Sequence, residues 1–381
     1  MRSAISDRSI RRKLRGCLFR LAAAGLAAIL LSAVLELGLR LLPVNRGLAA
    51  QAVTTDDPIL HFRPNRDSYY SHGWRMTLAN PIHTNNAGYV SDLDYSSEAP
   101  HPLLAIVGDS YIEAAMVPWE STAAGRLARE VEGTGAVYSF GVSGAPLSQY
   151  LAQVGDIRAR YGADGYVVLV VGNDFDESLA QYKQDPGFHY FREQPDGSLS
   201  LELQPLQIGT ARHLVRRSRL GMYLVANLKI LNVRSQLAAR GSGSDSWVGN
   251  TVAAAEQQRV EDSRRAVDTF LARLPAAAGV TPERVLIVVD GIRPQLYEDR
   301  QLEKASSSYF ALMRRYLLER GSSAGFEMLD MQPRFVQRFR RTAERFEFEE
   351  DAHWNDAGHD EFANAIRESH LWQALIVENG R

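Results

Sequence analysis

A serine and a histidine, far apart in the chain, lie in surroundings that suit nucleophilic catalysis. Ser110 ends the tripeptide Gly108-Asp109-Ser110, which directly follows the apolar run 103–107. The carboxyl end of a buried strand is where open α/β sheets bind their ligands, although a serine there could also simply cap the next helix. A serine nucleophile needs a base within hydrogen-bonding reach. His353, near the C-terminus, is the predicted base.

Two acidic residues precede His353, and either could orient its imidazole ring as the third member of a triad. In an extended segment, residues two apart project to the same side, which favours Asp351. If the segment turns instead, Glu350, three residues before the histidine, becomes the partner. Asp351 is the predicted acid, with Glu350 as the alternative. A histidine that makes only local contacts at the start of a helix would be the non-catalytic interpretation.

Two polar turns follow the next two apolar runs and can supply hydrogen-bond donors. Gly144 ends the segment Phe140-Gly141-Val142-Ser143-Gly144, and Asn173 lies in Gly172-Asn173-Asp174. The tetrahedral intermediate of acyl transfer carries an oxyanion, which preorganised donors stabilise. Each turn by itself is ordinary, but their occurrence at successive strand ends predicts an oxyanion hole. Its donors would be the N–H of Ser110, the N–H of Gly144 and the amide of Asn173.

Short apolar runs alternate with stretches of helical spacing, which predicts the elements that position these residues. The runs are 103–107, 136–140, 166–171, 284–289 and 326–329. Strands alternating with helices indicate a parallel sheet covered on both faces, the doubly wound α/β class. The gap between the third and fourth runs is too long for a crossover, so an insertion is predicted at about 176–250. It contains a predicted hairpin turn at Pro195-Asp196-Gly197, a basic amphipathic helix around 212–233 and a flexible linker at 241–244.

The apolar stretch 21–42 can form a helix of roughly 33 Å, long enough to cross a bilayer. Residues 1–20 carry seven basic residues and one acidic residue, so the positive-inside rule places the N-terminus in the cytoplasm and the rest beyond the inner membrane. A cleaved signal peptide, with a site at Ala50-Gln51-Ala52, is the alternative. Because that site lies well beyond the apolar run, a retained anchor is predicted. The predicted order is a basic cytoplasmic segment, a transmembrane helix, a tether and a catalytic domain, at residues 1–20, 21–42, 43–57 and 58–372.

The composition argues against several other classes of protein. The formal net charge is −2, and the part that follows the basic N-terminus is acidic, unlike a general nucleic-acid binder. The single cysteine, Cys17, lies on the cytoplasmic side of the predicted anchor, so no disulfide is expected. The nine histidines contain no HExxH pattern, and neither a metal nor another cofactor is predicted.

The order of these motifs resembles the four sequence blocks of the SGNH (GDSL) hydrolase superfamily. The blocks are Gly108-Asp109-Ser110, Gly144, Gly172-Asn173-Asp174 and Asp351-Ala352-His353. The lead-in Asn85-Asn86-Ala87-Gly88-Tyr89 and the segment 353–359 are similar to the bacterial membrane-anchored members. The Asp-x-His spacing, in place of the commoner Asp-x-x-His, resembles relatives associated with alginate O-acetylation. The resemblance covers roughly residues 56–370, and the insertion contributes least.

The resemblance implies a flavodoxin-like three-layer fold, no metal, and ester hydrolysis or acyl transfer, often on carbohydrate. We therefore expect a Ser-His-Asp acyl-enzyme mechanism that acts on an ester-linked group, most simply acetyl, of a cell-envelope carbohydrate. The expected partners are this substrate, the inner membrane and proteins that modify envelope polysaccharide. One alternative is a non-catalytic glycan-binding protein with the same fold. Another is an α/β-hydrolase with its nucleophile elbow at residues 141–145, disfavoured because that fold usually takes its acid and histidine from separate loops.

Overall fold

Five short apolar segments build a central parallel sheet. The computed structural model describes residues 2–209, 215–230, 247–248, 251–252 and 254–377. In chain order the strands are β1 (Arg66–His72), β2 (Leu78–Thr84), β3 (Leu103–Gly108), β4 (Ala136–Gly141), β5 (Gly165–Val170), β6 (His189–Glu193), β7 (Leu199–Leu203), β8 (Trp247–Val248), β9 (Thr251–Val252), β10 (Val285–Val289) and β11 (Glu327–Asp330). The central sheet has the order β11-β10-β5-β3-β4, and its neighbouring strands are all parallel. Each predicted run overlaps one of these strands.

Helices connect the strands, and several begin at a side chain that caps the first turn. They are α1 (Arg2–Leu39), α2 (Ser110–Glu113), α3 (Ala123–Glu130), α4 (Leu147–Tyr161), α5 (Arg219–Met222), α6 (Gln257–Ala278), α7 (Asp299–Ala305), α8 (Tyr309–Ser323), α9 (Met331–Thr342), α10 (Asp356–Arg367) and α11 (His370–Trp372). Oxygen atoms of Thr122, Ser308, Asp330 and Asn355 accept a backbone N–H at the starts of α3, α8, α9 and α10. These side chains satisfy donors that a helix start otherwise leaves unpaired.

Successive residues of the central strands point to opposite faces of the sheet. Leu103, Ala105 and Val107 of β3 lie in one buried cluster with apolar residues of α4, α6 and α8. Leu104 and Ile106 lie in a second cluster with residues of α3, α9 and α10. Helices therefore cover both faces, and the strands are apolar throughout because neither face meets water. The predicted three-layer, doubly wound α/β fold is confirmed.

The N-terminal helix α1 extends away from this domain. Its part Arg15–Leu39, 25 residues, is long and apolar enough to cross a membrane, and none of its most apolar stretch is buried against the protein. The segment that follows, predicted as a tether, lies along the domain. Val44 and Val53 are buried, and single β-bridges join Ala50 to Phe62 and Val53 to Leu206.

The predicted insertion contains the hairpin β6–β7, whose turn includes Gly197 with φ of +82°. The basic helix predicted around 212–233 is described only in part, as α5 and the π-helical turn Tyr223–Asn227. Arg212 and the linker predicted at 241–244 lie outside the described residues.

The last two residues of α2 pack directly on the end of β4, at Gly141. A Cβ atom at Gly141 would lie 2.0 Å from the backbone nitrogen of Glu113 and 2.3 Å from the carbonyl carbon of Ile112. No side chain fits there, because both neighbours are backbone atoms. This close contact fixes the position of the short helix that begins with Ser110.

We expect Gly141→Ala to destabilise the protein by about 1–3 kcal/mol, because the methyl group would push α2 off the sheet. Gly155→Ala is the matched control, since Gly155 lies in α4 and an added Cβ meets nothing within 4 Å. That change should be neutral or stabilising by up to about 1 kcal/mol. Denaturant unfolding of both variants measures the difference. Equal stabilities would show that α2 is free to move.

Candidate active site

Ser110, His353 and Asp351 form one hydrogen-bonded chain at the carboxyl end of the sheet. Ser110 Oγ lies 2.7 Å from His353 Nε2, and His353 Nδ1 contacts Asp351 Oδ1. Glu350 instead accepts a hydrogen bond from Thr77 Oγ1 at 3.1 Å. Of the two acids considered, Asp351 is therefore the one that contacts the histidine. The order hydroxyl, imidazole, carboxylate is the one that removal of a serine proton requires.

The segment that carries Asp351 and His353 forms neither a helix nor a strand. Asp351 Oδ1 also accepts the backbone N–H of His353 at 3.0 Å, which closes a short Asx-type turn. The predicted partner, Asp351, is the acid that contacts His353, although the contact includes this turn, which the sequence argument did not contain. The two side chains meet because one carboxylate binds both the ring and the backbone of the same histidine.

Tyr70, on β1, holds the second oxygen of Asp351. Its hydroxyl donates to Asp351 Oδ2 at 2.6 Å. Burial opposes ionisation of Asp351, but the hydrogen bonds from His353 and Tyr70 outweigh it and keep the pKa of Asp351 well below its ordinary value. Burial and the nearby charge of Asp351 raise the pKa of Tyr70, so the tyrosine stays a donor. Asp351 is therefore an ionised carboxylate that can stabilise an imidazolium.

The residues before Ser110 position it at the start of α2. Asp109 caps this helix by accepting the N–H of Tyr111 at 3.0 Å. Burial raises the pKa of the Asp109 carboxyl group. A Cβ atom at Gly108 would lie 2.4 Å from Ile112 Cγ1, so the strand can turn into the helix here only through glycine. Gly108 and Asp109 thus direct the Ser110 hydroxyl toward the histidine.

The two backbone groups predicted for the oxyanion hole follow neighbouring strands, β3 and β4. Gly144 has φ of +81°, a left-handed conformation that glycine adopts without strain. In the part of the chain that the structure describes, neither the Ser110 N–H nor the Gly144 N–H donates a hydrogen bond to another protein group. Donors without a competing protein acceptor are what oxyanion binding requires.

A buried carboxylate, Glu113, fixes the loop that carries Gly144. Glu113 Oε2 accepts the backbone N–H of Ser143 at 2.8 Å. Burial raises the pKa of Glu113 to about 7, although the Ser143 hydrogen bond opposes this rise. On the other side of the loop, Lys183 Nζ donates to the carbonyl oxygen of Gly144 at 3.1 Å. The loop is therefore held from two directions.

Asn173, the third predicted donor, contacts a different partner. Its Nδ2 donates to Glu177 Oε2 at 3.0 Å, and the same oxygen accepts from Lys183. Glu177 thus orients the amide of Asn173. The structure brings Ser110, His353 and Asp351 together and places Asn173 against Glu177.

A buried network supports the backbone between the acid and the base. Arg293 Nη1 and the Tyr111 hydroxyl both donate to the carbonyl oxygen of Ala352, each at 3.0 Å. Arg293 Nη2 pairs with Asp290 Oδ2 at 2.6 Å, and Trp354 Nε1 donates to Asp290 Oδ1 at 3.1 Å. Sequence reasoning missed Asp290 and Arg293. The signal was available, because Asp290 directly follows the fourth strand of the central sheet and Arg293 lies three residues later.

In the described ranges, His, Cys, Asp and Glu side chains form no group of three or more that could hold a metal ion.

No family model matches the chain, and no curated protein matches its sequence. Solved structures do resemble it. An acetyl xylan esterase, AlAXEase, is 11% identical, with 72% of this chain and 100% of that chain covered and a TM-score of 0.39. The phospholipase A1 of Streptomyces albidoflavus NA297 is 13% identical, with 70% and 98% covered and a TM-score of 0.37. A member of the lipolytic protein G-D-S-L family from Veillonella parvula DSM 2008 is 10% identical, with 70% and 97% covered and a TM-score of 0.34.

We expect Asp351→Asn to lower turnover of an ester on the order of 10–10⁴-fold, because the amide cannot stabilise an imidazolium or hold the required tautomer. Glu350→Gln is the matched control, since it removes the neighbouring charge, which contacts Thr77 and not His353. It should change turnover by less than about threefold. Steady-state kinetics of both variants measure this. A larger loss in Glu350→Gln would assign the role to Glu350.

Proposed function

We propose that this protein is a serine esterase or O-acyltransferase of the SGNH type, with Ser110 as nucleophile, His353 as base and Asp351 as the acid that orients the base. The observation that carries the proposal is the continuous hydrogen-bonded chain from Asp351 through His353 to Ser110. It is supported by the position of Ser110 at a strand end of a parallel sheet, where ligands reach open α/β folds. The side chain of His353 is 27% exposed, so an ester can reach it.

The reaction would proceed in two acyl-transfer steps. Ser110 Oγ attacks the ester carbonyl carbon while His353 Nε2 takes the hydroxyl proton, and Asp351 stabilises the resulting imidazolium. The carbonyl oxygen becomes an oxyanion, bound by the N–H groups of Ser110 and Gly144 and by the amide of Asn173. The alcohol leaves with the proton from His353. Water or a sugar hydroxyl then gives its proton to His353 and attacks the acyl carbon, the bond from that carbon to Ser110 Oγ breaks, and His353 returns the proton to Ser110.

The substrate we propose is an ester-linked group, most simply acetyl, of a cell-envelope carbohydrate. This part of the proposal is supported by the resemblance of the Asp-x-His-Trp segment to relatives associated with alginate O-acetylation. The contacts of Asp351 and His353 fit that spacing, because the Asx-type turn brings residues two apart together. Proteins that modify envelope polysaccharide are the partners we propose for such an activity.

We propose that the N-terminal helix is a retained single-pass anchor in the inner membrane. Residues 1–20 would then lie in the cytoplasm and the catalytic domain on the other side of the membrane. Its support is the length and apolar character of Arg15–Leu39, together with the basic residues that precede it.

A fluorophosphonate probe, which phosphonylates activated serines with loss of fluoride, should label the full-length protein at Ser110. Labelling should vanish in Ser110→Ala, because the only hydroxyl that contacts His353 Nε2 in the described structure is then lost. Ser143→Ala is the control, because Ser143 lies in the nearby loop and its backbone is held by Glu113. Its labelling should match that of the unchanged protein. Labelling that persists in Ser110→Ala would contradict the proposed nucleophile.

A reporter enzyme that is active only outside the cytoplasm should be active when fused after Arg381. The charge difference across the helix predicts this orientation. The matched control is a fusion at the same position to a reporter that is active only in the cytoplasm. That reporter should show no activity. Mass spectrometry of the membrane fraction should also find residues 1–52 still attached. An N-terminus near Val53 would instead support cleavage after Ala52.

A further inference from the structure

The end of helix α1 is bonded to the catalytic domain. Glu36, in its last turn, accepts hydrogen bonds from Ser218 Oγ at 2.8 Å and from the backbone N–H groups of Arg219 and Leu220 at 3.1 and 2.9 Å. These donors lie at the start of α5, where backbone N–H groups lack helical partners. The domain is therefore attached to the helix by directed bonds as well as by the chain.

The same junction contacts the turn between β1 and β2, residues 73–77, which we name the junction loop. Leu39, Val44 and Met222 form a small buried cluster at the end of α1, and Met76 of the junction loop packs against it. The hydroxyl of Tyr223, one residue after α5, donates to the carbonyl oxygen of Trp74 at 2.9 Å. The junction loop thus lies beside the end of the candidate membrane span.

The junction loop also contacts the segment that carries the candidate acid and base. Thr77 Oγ1 donates to Glu350, and a Cβ atom at Gly73 would lie 2.8 Å from Glu350 Oε2. Three residues before Gly73, the Tyr70 hydroxyl binds Asp351. The strand β1 therefore leads from the candidate triad to the membrane junction within a few residues.

Large apolar side chains at this junction face outward. Trp74 is 67% exposed, and Leu41 and Leu42, just after α1, are 88% and 51% exposed. The guanidinium of Arg75 lies 5.4 Å from the centre of the Trp74 ring. Tryptophan with a neighbouring basic residue is typical of the membrane–water interface, where an apolar ring and a polar edge are both satisfied. Leu41 and Leu42 continue the apolar sequence of α1, and Met76, two residues after Trp74, packs against the cluster that contains Leu39.

We infer that the junction loop, with Leu41 and Leu42, rests in the interface of the bilayer, and that the candidate site takes an ester held in that bilayer as its acyl donor. The donor would be amphiphilic, with its ester group at headgroup level, where Ser110 can reach it. A carbohydrate hydroxyl would then be the acceptor. The catalytic part of this inference rests on the proposed function, whereas the membrane contact of the junction loop does not.

The membrane contact is tested with the full-length chain in lipid nanodiscs. After Cys17→Ser, a nitrobenzoxadiazole fluorophore is attached through Trp74→Cys or, as the matched control, through Glu132→Cys. Glu132 is exposed and precedes β4, at the end of the sheet opposite Ser110. Lipids that carry a spin label near the headgroup should quench the fluorophore at position 74 and leave that at position 132 unchanged. Equal quenching at both positions would overturn the contact.

The donor is tested by comparing two esters in the same nanodiscs: p-nitrophenyl acetate in solution and 4-methylumbelliferyl oleate in the bilayer. Trp74→Ala should lower kcat/KM for the bilayer ester about tenfold, mainly through KM, because the loop loses apolar contact with lipid. Turnover of p-nitrophenyl acetate should stay within about twofold. Leu93→Ala, an exposed apolar residue away from the junction, is the matched control and should affect neither ester.

The outcomes separate this inference from the proposed function. If Trp74→Ala lowers kcat/KM equally for both esters, or for neither, the bilayer-held donor is contradicted. The proposed function would still be supported if Ser110 is labelled by the probe. Quenching at position 74 combined with no turnover of either ester and no labelling of Ser110 would overturn the proposed function and leave the membrane contact intact.

Discussion

One hydrogen bond, between Ser110 and His353, joins parts of the chain that are 243 residues apart, and the remaining features of the site keep its two ends in place. A hydrogen bond of this kind weakens steeply with changes of a few tenths of an ångström or of tens of degrees. Ser110 is positioned by a strand, by a capped helix and by two glycines at which an added Cβ atom would be too close to its neighbours. The histidine end has no regular secondary structure of its own. Its position has to come from contacts with other elements.

Those contacts are mainly buried and charged. Arg293 and Asp290 are almost fully buried, and their pairing has to compensate for the removal of two charges from water. A pair of this kind is weak evidence for stability, since well-packed apolar residues often do as well. Its geometry is more informative: the guanidinium also binds the carbonyl oxygen between the acid and the base. The pair therefore holds a backbone segment that has no strand or helix to support it.

Much of this arrangement follows from local sequence patterns, because apolar runs and their ends are local features. The positions of apolar runs predict the central strands. The residues at the ends of these runs predict that Ser110 and His353 meet at the carboxyl edge of the sheet. The contact of Tyr70 with Asp351 could not be predicted in this way. The two residues are 281 positions apart, and the residues around Tyr70 carry no spacing that indicates the contact. The Asx-type turn at Asp351 was also missed, because the choice between an extended segment and a turn depends on hydrogen bonds that form only in the folded chain. The orientation of the Asn173 amide was missed for the same reason, because it depends on a hydrogen bond to Glu177, four residues later, that forms in the folded chain.

If α1 is the proposed membrane anchor, the attachment of Glu36 to the start of α5 limits the distance over which the proposed activity can act. A helix rises about 1.5 Å per residue, so the place of one carboxylate along α1 sets how high the catalytic domain stands above the middle of a bilayer. A domain on a long flexible linker would sweep a wide volume, whereas this one, anchored as proposed, would be held at a single elevation. Polymer far from the membrane would be out of reach. Acceptors would be modified only as they pass close to the surface, for example during export, and the timing of modification would then be set by the passage of the polymer.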